Sequence, residues 1–235
     1  MTLPRLDVPV YEITLHSYPT PIKYRPFLVK EEKILLIALE SQDKDSIVSA
    51  IKQILNNCLI EGDININKLP LFDVEYWFLN IRSKSVGEIV DLNLNCNDCE
   101  HINEYKLDIN DVHLQISPDH TKVINLTDNV GVTMKYPTIT VMNDFEAIQE
   151  STERLFDLVT NSIETVIEGE TVHDLQLQSS SDINEFVLSL TQQQFSKLLD
   201  FYNTMPKLAH TINFACTKCD KKNTLVIQGV ENFFT

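Results

Sequence analysis

Glycine is scarce in this chain, five in 235 residues, and none of the five falls in a G-x-G-x-x-G or G-x-x-x-x-G-K-[ST] frame. A dinucleotide cradle and a P-loop are thereby excluded. H-E-x-x-H, G-x-S-x-G and an EF-hand frame are absent as well. The six histidines, His16, His101, His113, His120, His173 and His210, are scattered along the chain. Nothing nominates a convergent catalytic set or a small-molecule substrate, so a non-enzymatic protein is expected. No apolar run approaches the roughly eighteen residues of a membrane span, and the N-terminus lacks the pattern of a secretory signal. A soluble protein made in a reducing cytosol follows. Basic residues are also in deficit, 19 against 34 acidic ones, for a formal charge of −15. Such a field repels phosphate instead of gaining from counterion release, which argues against nucleic acid as a partner.

What the chain does have is cysteine in a pattern. Four of its five cysteines form two C-x-x-C pairs, Cys96-Asn97-Asp98-Cys99 and Cys216-Thr217-Lys218-Cys219. Residues 90–95 and 104–109 alternate apolar and polar around the first pair, and residues 211–215 and 224–227 flank the second in the same way. Each pair therefore sits at the turn of a half-buried hairpin. Two thiolates on one tight turn span one edge of a tetrahedron, and a second turn supplies the opposite edge. This points to a closed, structural four-cysteine Zn²⁺ site made of Cys96, Cys99, Cys216 and Cys219. Residues 100–215 separate the pairs, whereas a compact ribbon uses about twenty or fewer, so the metal would staple the middle of the chain to its end.

Competing readings carry costs. A redox C-x-x-C is expected at the start of a helix beside a βαβ unit, and neither pair opens a helical pattern. Disulfides fit poorly with a reducing compartment. His101 and His210 lie close enough to the pairs to replace a cysteine, but four thiols already fill a tetrahedron. Lys218, Lys221 and Lys222 would offset the excess negative charge of a four-thiolate centre. Asp43, Asp45, Glu146, Glu150 and Glu153 read as solvated helix faces.

The rest of the chain supplies strands and helices. Residues 11–15 and 22–25 form an N-terminal hairpin around a Pro-rich turn. Residues 31–40 form a helix. A second helix, capped by Asp45 or Ser46, carries Ile47, Ala50, Ile51, Ile54, Leu55 and Cys58 on one stripe, which makes Cys58 a core residue. Residues 63–67 read as a brief extended piece and 70–79 as an aromatic helix with Trp77 in the core. Residues 107–110, 123–126 and 131–137 read as strands. A long helix then spans residues 145–167, capped by Asn143 or Asp144 and ended by Gly169. Two further helices follow, one capped by Asp182 and one over 191–202 that stops before Pro206. The sum is an α+β fold of helical segments and β-hairpins with one zinc-ribbon-like site. It is expected as a single compact unit: N-terminal hairpin and helices 1–87, ribbon halves 88–109 and 209–229, and an inserted α/β region 110–208.

One family resemblance stands out. The step Arg25-Pro26-Phe27-Leu28-Val29-Lys30-Glu31-Glu32-Lys33, the aromatic helix over 71–79 leading to a strand and a C-x-x-C turn, and the late second cysteine turn resemble the baseplate hub and hub-assembly proteins of T-even-like contractile-tailed phages. The likeness extends over most of the chain. Some relatives have an irregular second turn, whereas Cys216-Thr217-Lys218-Cys219 is regular. The resemblance implies a structural or assembly protein of the tail baseplate that contributes to the central hub. Its partners would be other hub and tail proteins, with self-association left open, in the host cytoplasm during assembly and in the virion tail. The alternative, a zinc-ribbon adaptor for nucleic acid or the transcription machinery, requires a concentrated basic face.

Overall fold

The computed structural model describes residues 6–141 and 151–229. Among them are six α-helices and four small antiparallel sheets, an α+β architecture as expected. The chain divides into two compact units, Met1–Gln115 with Lys207–Thr235, and Ile116–Pro206.

The first unit begins with β1 (Tyr11–Ile13) and β2 (Ile22–Tyr24), paired with Tyr11 opposite Tyr24. The Arg-Pro-Phe-Leu step then turns into α1 (Val29–Ser41) through one buried carboxylate. Glu31 accepts from the Leu28 N–H at 2.9 Å and from the Arg25 guanidinium at 3.0 Å. Helix α2 (Lys44–Cys58) is capped by Asp43, whose carboxylate accepts from the Ser46 N–H, ahead of both expected caps, Asp45 and Ser46. It buries Ala50, Ile51, Ile54, Leu55 and Cys58 of the expected stripe, with Val48 also buried while Ile47 is only half-buried.

The extended piece expected at 63–67 is displaced. Strand β3 (Leu59–Glu61) follows α2 directly and pairs with β2, while Ile66–Lys68 forms a 3-10 turn. Gly62 allows the exit: its φ is +140°, and a Cβ there would lie 2.7 Å from the Ile22 side chain. Helix α3 (Leu71–Ser85) buries Trp77 and Phe78 completely. From its first turn the buried Asp73 carboxylate accepts the backbone N–H groups of His16 and Ser17, both at 2.8 Å, and so ties the segment after β1 to the helix.

Strands β4 (Ile89–Asn95) and β5 (Ile102–Asp108) pair from Ile89↔Asp108 to Asn95↔Ile102. Their inward face, Val90, Leu92, Leu94 and Leu107, packs with Leu79, Leu208, Ile212 and Ile227. Strand β6 (His113–Gln115), three residues long, went unpredicted.

Among its described residues the second unit has a sheet ordered β10-β9-β8-β7 and three helices. It comprises β7 (Val123–Asn125), β8 (Val130–Met134), α4 (Thr152–Ser162), β9 (Ile163–Glu168), β10 (Thr171–Asp174), α5 (Ser180–Leu188) and α6 (Gln192–Thr204). The long helix expected to reach Ile167 instead ends at Ser162. Ile163, Val166 and Ile167 belong to β9, where the β-branched run pairs with β8 on one side and β10 on the other. Gly169, at φ +58°, is the first residue of the β9–β10 turn and not a helix stop. The caps proposed at Asn143 and Asp144, together with residues 145–148, Glu146 and Glu150, lie outside the described residues. Helix α5 is capped by Ser179, which accepts from the Asp182 N–H, so Asp182 is the capped residue and not the cap. Ile124, Val132, Met134, Val159, Leu198 and Phe201 form this unit's own core.

The chain then returns to the first unit. Strand β11 (Lys207–Ala215) pairs with β12 (Lys222–Gln228) from Ala209↔Gln228 to Ala215↔Lys222, and with β6 from Lys207↔Gln115 to Ala209↔His113. The two ends of the intervening segment are thus neighbours in one sheet.

Candidate metal centre

The turns of the β4–β5 and β11–β12 hairpins have the same backbone. Cys96 N–H donates to the His101 carbonyl and Cys216 N–H to the Lys221 carbonyl, each at 2.9 Å. Glu100 N–H reaches the Cys96 carbonyl and Asp220 N–H the Cys216 carbonyl, each at 3.0 Å. The residue after the second cysteine, Glu100 or Asp220, takes a left-handed φ of 56° or 59°. This pattern points both side chains of each C-x-x-C the same way.

The four sulfurs of Cys96, Cys99, Cys216 and Cys219 come together within 4.8 Å of one another. The pairs Cys96–Cys219 and Cys99–Cys216 are 3.7 Å apart and Cys99–Cys219 3.4 Å. A tetrahedral ion with metal–sulfur bonds of about 2.3 Å needs sulfur–sulfur edges of about 3.8 Å. The sulfurs therefore already fit the outline of a four-thiolate site, and the spacings far exceed a disulfide bond of about 2.05 Å. His101 and His210 stand outside this set. The ring Nε2 of His101 lies 3.1 Å from the Thr217 hydroxyl, and Nδ1 of His210 lies 3.2 Å from the Asp111 carbonyl.

The thiols differ in environment. Cys96 and Cys216 are buried, Cys99 is half-buried and Cys219 exposed. Backbone N–H groups of Cys99 and Asp98 aim at Cys96 and pull its thiol down to about 6. Burial opposes ionisation of Cys216, yet the N–H groups of Lys218 and Cys219 outweigh it and lower that thiol too. At Cys219 the Lys221 N–H favours the thiolate, but the neighbouring Cys99, Cys216 and Cys96 sulfurs push the group up to about 12. Four thiolates this close need a cation to ionise together. Cys58 shares none of this; burial pushes its thiol up to about 11, as for an inert core residue.

Two residues of the centre escaped the sequence reading. Asn103 and Asn223, both buried, sit between the two turns and contact the sulfurs. Their signal was present: each cysteine pair continues as C-x-x-C-x-x-x-N, in Cys96 to Asn103 and again in Cys216 to Asn223.

Fold and site together define an α+β protein in which two hairpins, distant in sequence, bring four cysteines to one point. The chain belongs to the T4 bacteriophage base plate protein family, whose model matches residues 8–235. No curated protein and no solved structure matches it. It is thus a structural component of a phage tail baseplate, working among other baseplate proteins. Among the described residues no helix is long and apolar enough to cross a membrane.

Proposed function

We propose that this chain contributes to formation of the central hub of the baseplate, and that a structural Zn²⁺ held by Cys96, Cys99, Cys216 and Cys219 makes its two distant hairpins one rigid unit for docking other hub proteins. The observation that carries the metal is the convergence of four thiols at tetrahedral spacing. An all-sulfur tetrahedral set suits zinc, and four protein ligands leave no open position for catalysis, so the role is structural. The hub assignment rests on the family together with the resemblance of the Arg25-Pro26-Phe27-Leu28 step and the paired cysteine turns. Assembly takes place in the host cytoplasm, and the chain ends in the virion tail.

Complementation tests both halves. In cells infected by a phage lacking this product, the wild-type chain should restore tails with complete hubs, and Cys219→Ser should not. Complete hubs without any chain would refute the hub role. Normal tails from Cys219→Ser protein would refute the metal's.

A further inference from the structure

Asn103 and Asn223 occupy equivalent positions in the two turns, and each reaches across to the other. The Oδ1 of Asn223 accepts the Asn97 N–H of the first hairpin at 3.0 Å. Its Nδ2 lies 3.6 Å from Cys96 Sγ and donates to the Lys221 carbonyl of its own turn at 2.9 Å. Asn103 repeats this in the opposite sense. Its Oδ1 accepts the Thr217 N–H at 2.8 Å, and its Nδ2 lies 2.9 Å from the His101 carbonyl, 3.3 Å from the Leu94 carbonyl and 3.8 Å from Cys216 Sγ. The His101 and Lys221 carbonyls are the same ones that close the two turns. One planar amide therefore joins its own turn, the opposite backbone and the opposite thiol.

A buried amide must satisfy one acceptor and two donor hydrogens. At Asn223 the second N–H has sulfur as its partner, and at Asn103 it is shared between the Leu94 carbonyl at 3.3 Å and Cys216 Sγ at 3.8 Å, so in both amides a side-chain N–H faces the opposite thiol. The recipients are the buried thiols Cys96 and Cys216, which also face a backbone N–H from their own turn, Asp98 at 3.5 Å and Lys218 at 3.4 Å. Donors to a thiolate spread its charge and orient it for the metal. Neither bridge exists within a single hairpin, since each needs the opposite turn.

We propose that Asn103 and Asn223 are reciprocal positioning residues of the four-cysteine centre, each hooking the opposite hairpin and donating a side-chain N–H to its buried thiolate. The two halves then close in one register and hold the metal more tightly than four thiols alone. The proposal rests on the metal reading above, and its test separates the two.

The full chain, labelled with ¹⁵N and loaded with ¹¹³Cd in place of zinc, should show scalar coupling between the metal and the side-chain amide protons of Asn103 and Asn223. Such coupling passes through N–H···S–Cd and needs no variant, so it decides the matter even where a substitution prevents folding. Asn103→Asp and Asn223→Asp keep the acceptor oxygen and lose the donor. Each should weaken metal binding about 10- to 100-fold against a competing chelator, as loss of outer-shell partners does. Bound cadmium without coupling to either amide, or undiminished affinity in the double variant, overturns the proposal and leaves the metal centre standing. A wild-type chain that takes up neither cadmium nor zinc overturns the metal reading itself.

Discussion

The unit over residues 116–206 and the hairpin end of the first unit hold themselves together by different means. The former closes on apolar and aromatic side chains: Phe156 stacks on Phe195 with ring centroids 4.6 Å apart, and Tyr136 on Phe201 at 5.5 Å. It contains no cysteine. In the hairpins the inward apolar stripe runs out at Leu94 and the half-buried Phe214, and beyond it the buried positions are Cys96, Asn103, Cys216 and Asn223. Two-stranded ribbons are marginal in water without a packed face. Where the stripe ends, four converging thiols and the amide bridges of Asn103 and Asn223 stand in the place of a core. With the proposed metal in place, one part of the chain would depend on it and the other would not.

The sharpest way to break that contrast is a reciprocal pair of variants. Cys219→Ser removes one thiolate from a site type worth on the order of 10–16 kcal/mol of apparent binding energy in small peptides. Hydrogen exchange should rise across Ile89–Asp108 and Lys207–Gln228, with protection within Ile116–Pro206 retained. Phe201→Ala should do the converse, destabilising the second unit by about 3–5 kcal/mol while the metal content of the chain stays at the wild-type value. Equal loss of protection in both units for either variant would show that they are not energetically separate.

A smaller effect is expected at Glu31, which sharpens the contrast within the first unit. Burial opposes its ionisation, but the hydrogen bonds from Arg25 and the Leu28 N–H prevail and hold the carboxyl below the usual glutamate range. With the folded pKa depressed, this stabilisation is fully present above the ordinary glutamate pKa of about 4.3 and is lost as pH falls through the lower folded value. Glu31→Gln should therefore cost about 1.5–3 kcal/mol near neutral pH and flatten the acid limb of a melting-temperature profile. Metal affinity at neutral pH should not change. A steeper acid limb in the variant would contradict the assignment.

The smallest effect is expected from the largest deletion. Gln115 and Lys207 are register partners, so the strands entering and leaving the inserted region already lie side by side. We propose that 116–206 is an insertion into a host that folds around the metal. Replacing residues 117–205 by a short turn should leave the metal stoichiometry and the β11–β12 hairpin as they are. Loss of metal binding on that deletion would show that the insert supports the centre.

How much was legible follows the range of the interactions. Strict alternation around both cysteine pairs marked the two hairpins, and repeated C-x-x-C spacing marked four residues that meet in space. Ile163, Val166 and Ile167 were misread because their spacing satisfies a helical face as well as a strand; pairing with β8, about thirty residues earlier, decides between them. Strand β6 is too short to show a period and exists because Lys207–Ala209 lies beside it. The cap of α2 lies at Asp43 and not at Asp45 or Ser46 because all three are competent caps, and only Asp43 has its carboxylate on the Ser46 N–H. Asn103 and Asn223 stood in a visible repeat, yet an asparagine in a strand states no role until the opposite turn supplies its partners.

In the proposed centre a metal fills the place where the hairpins' apolar core ends. Elemental analysis of the full chain, purified without chelator, measures it most directly. One zinc per chain is predicted, with none retained by a variant in which Cys96, Cys99, Cys216 and Cys219 are all serine. A folded wild-type chain with metal content near zero would contradict the account.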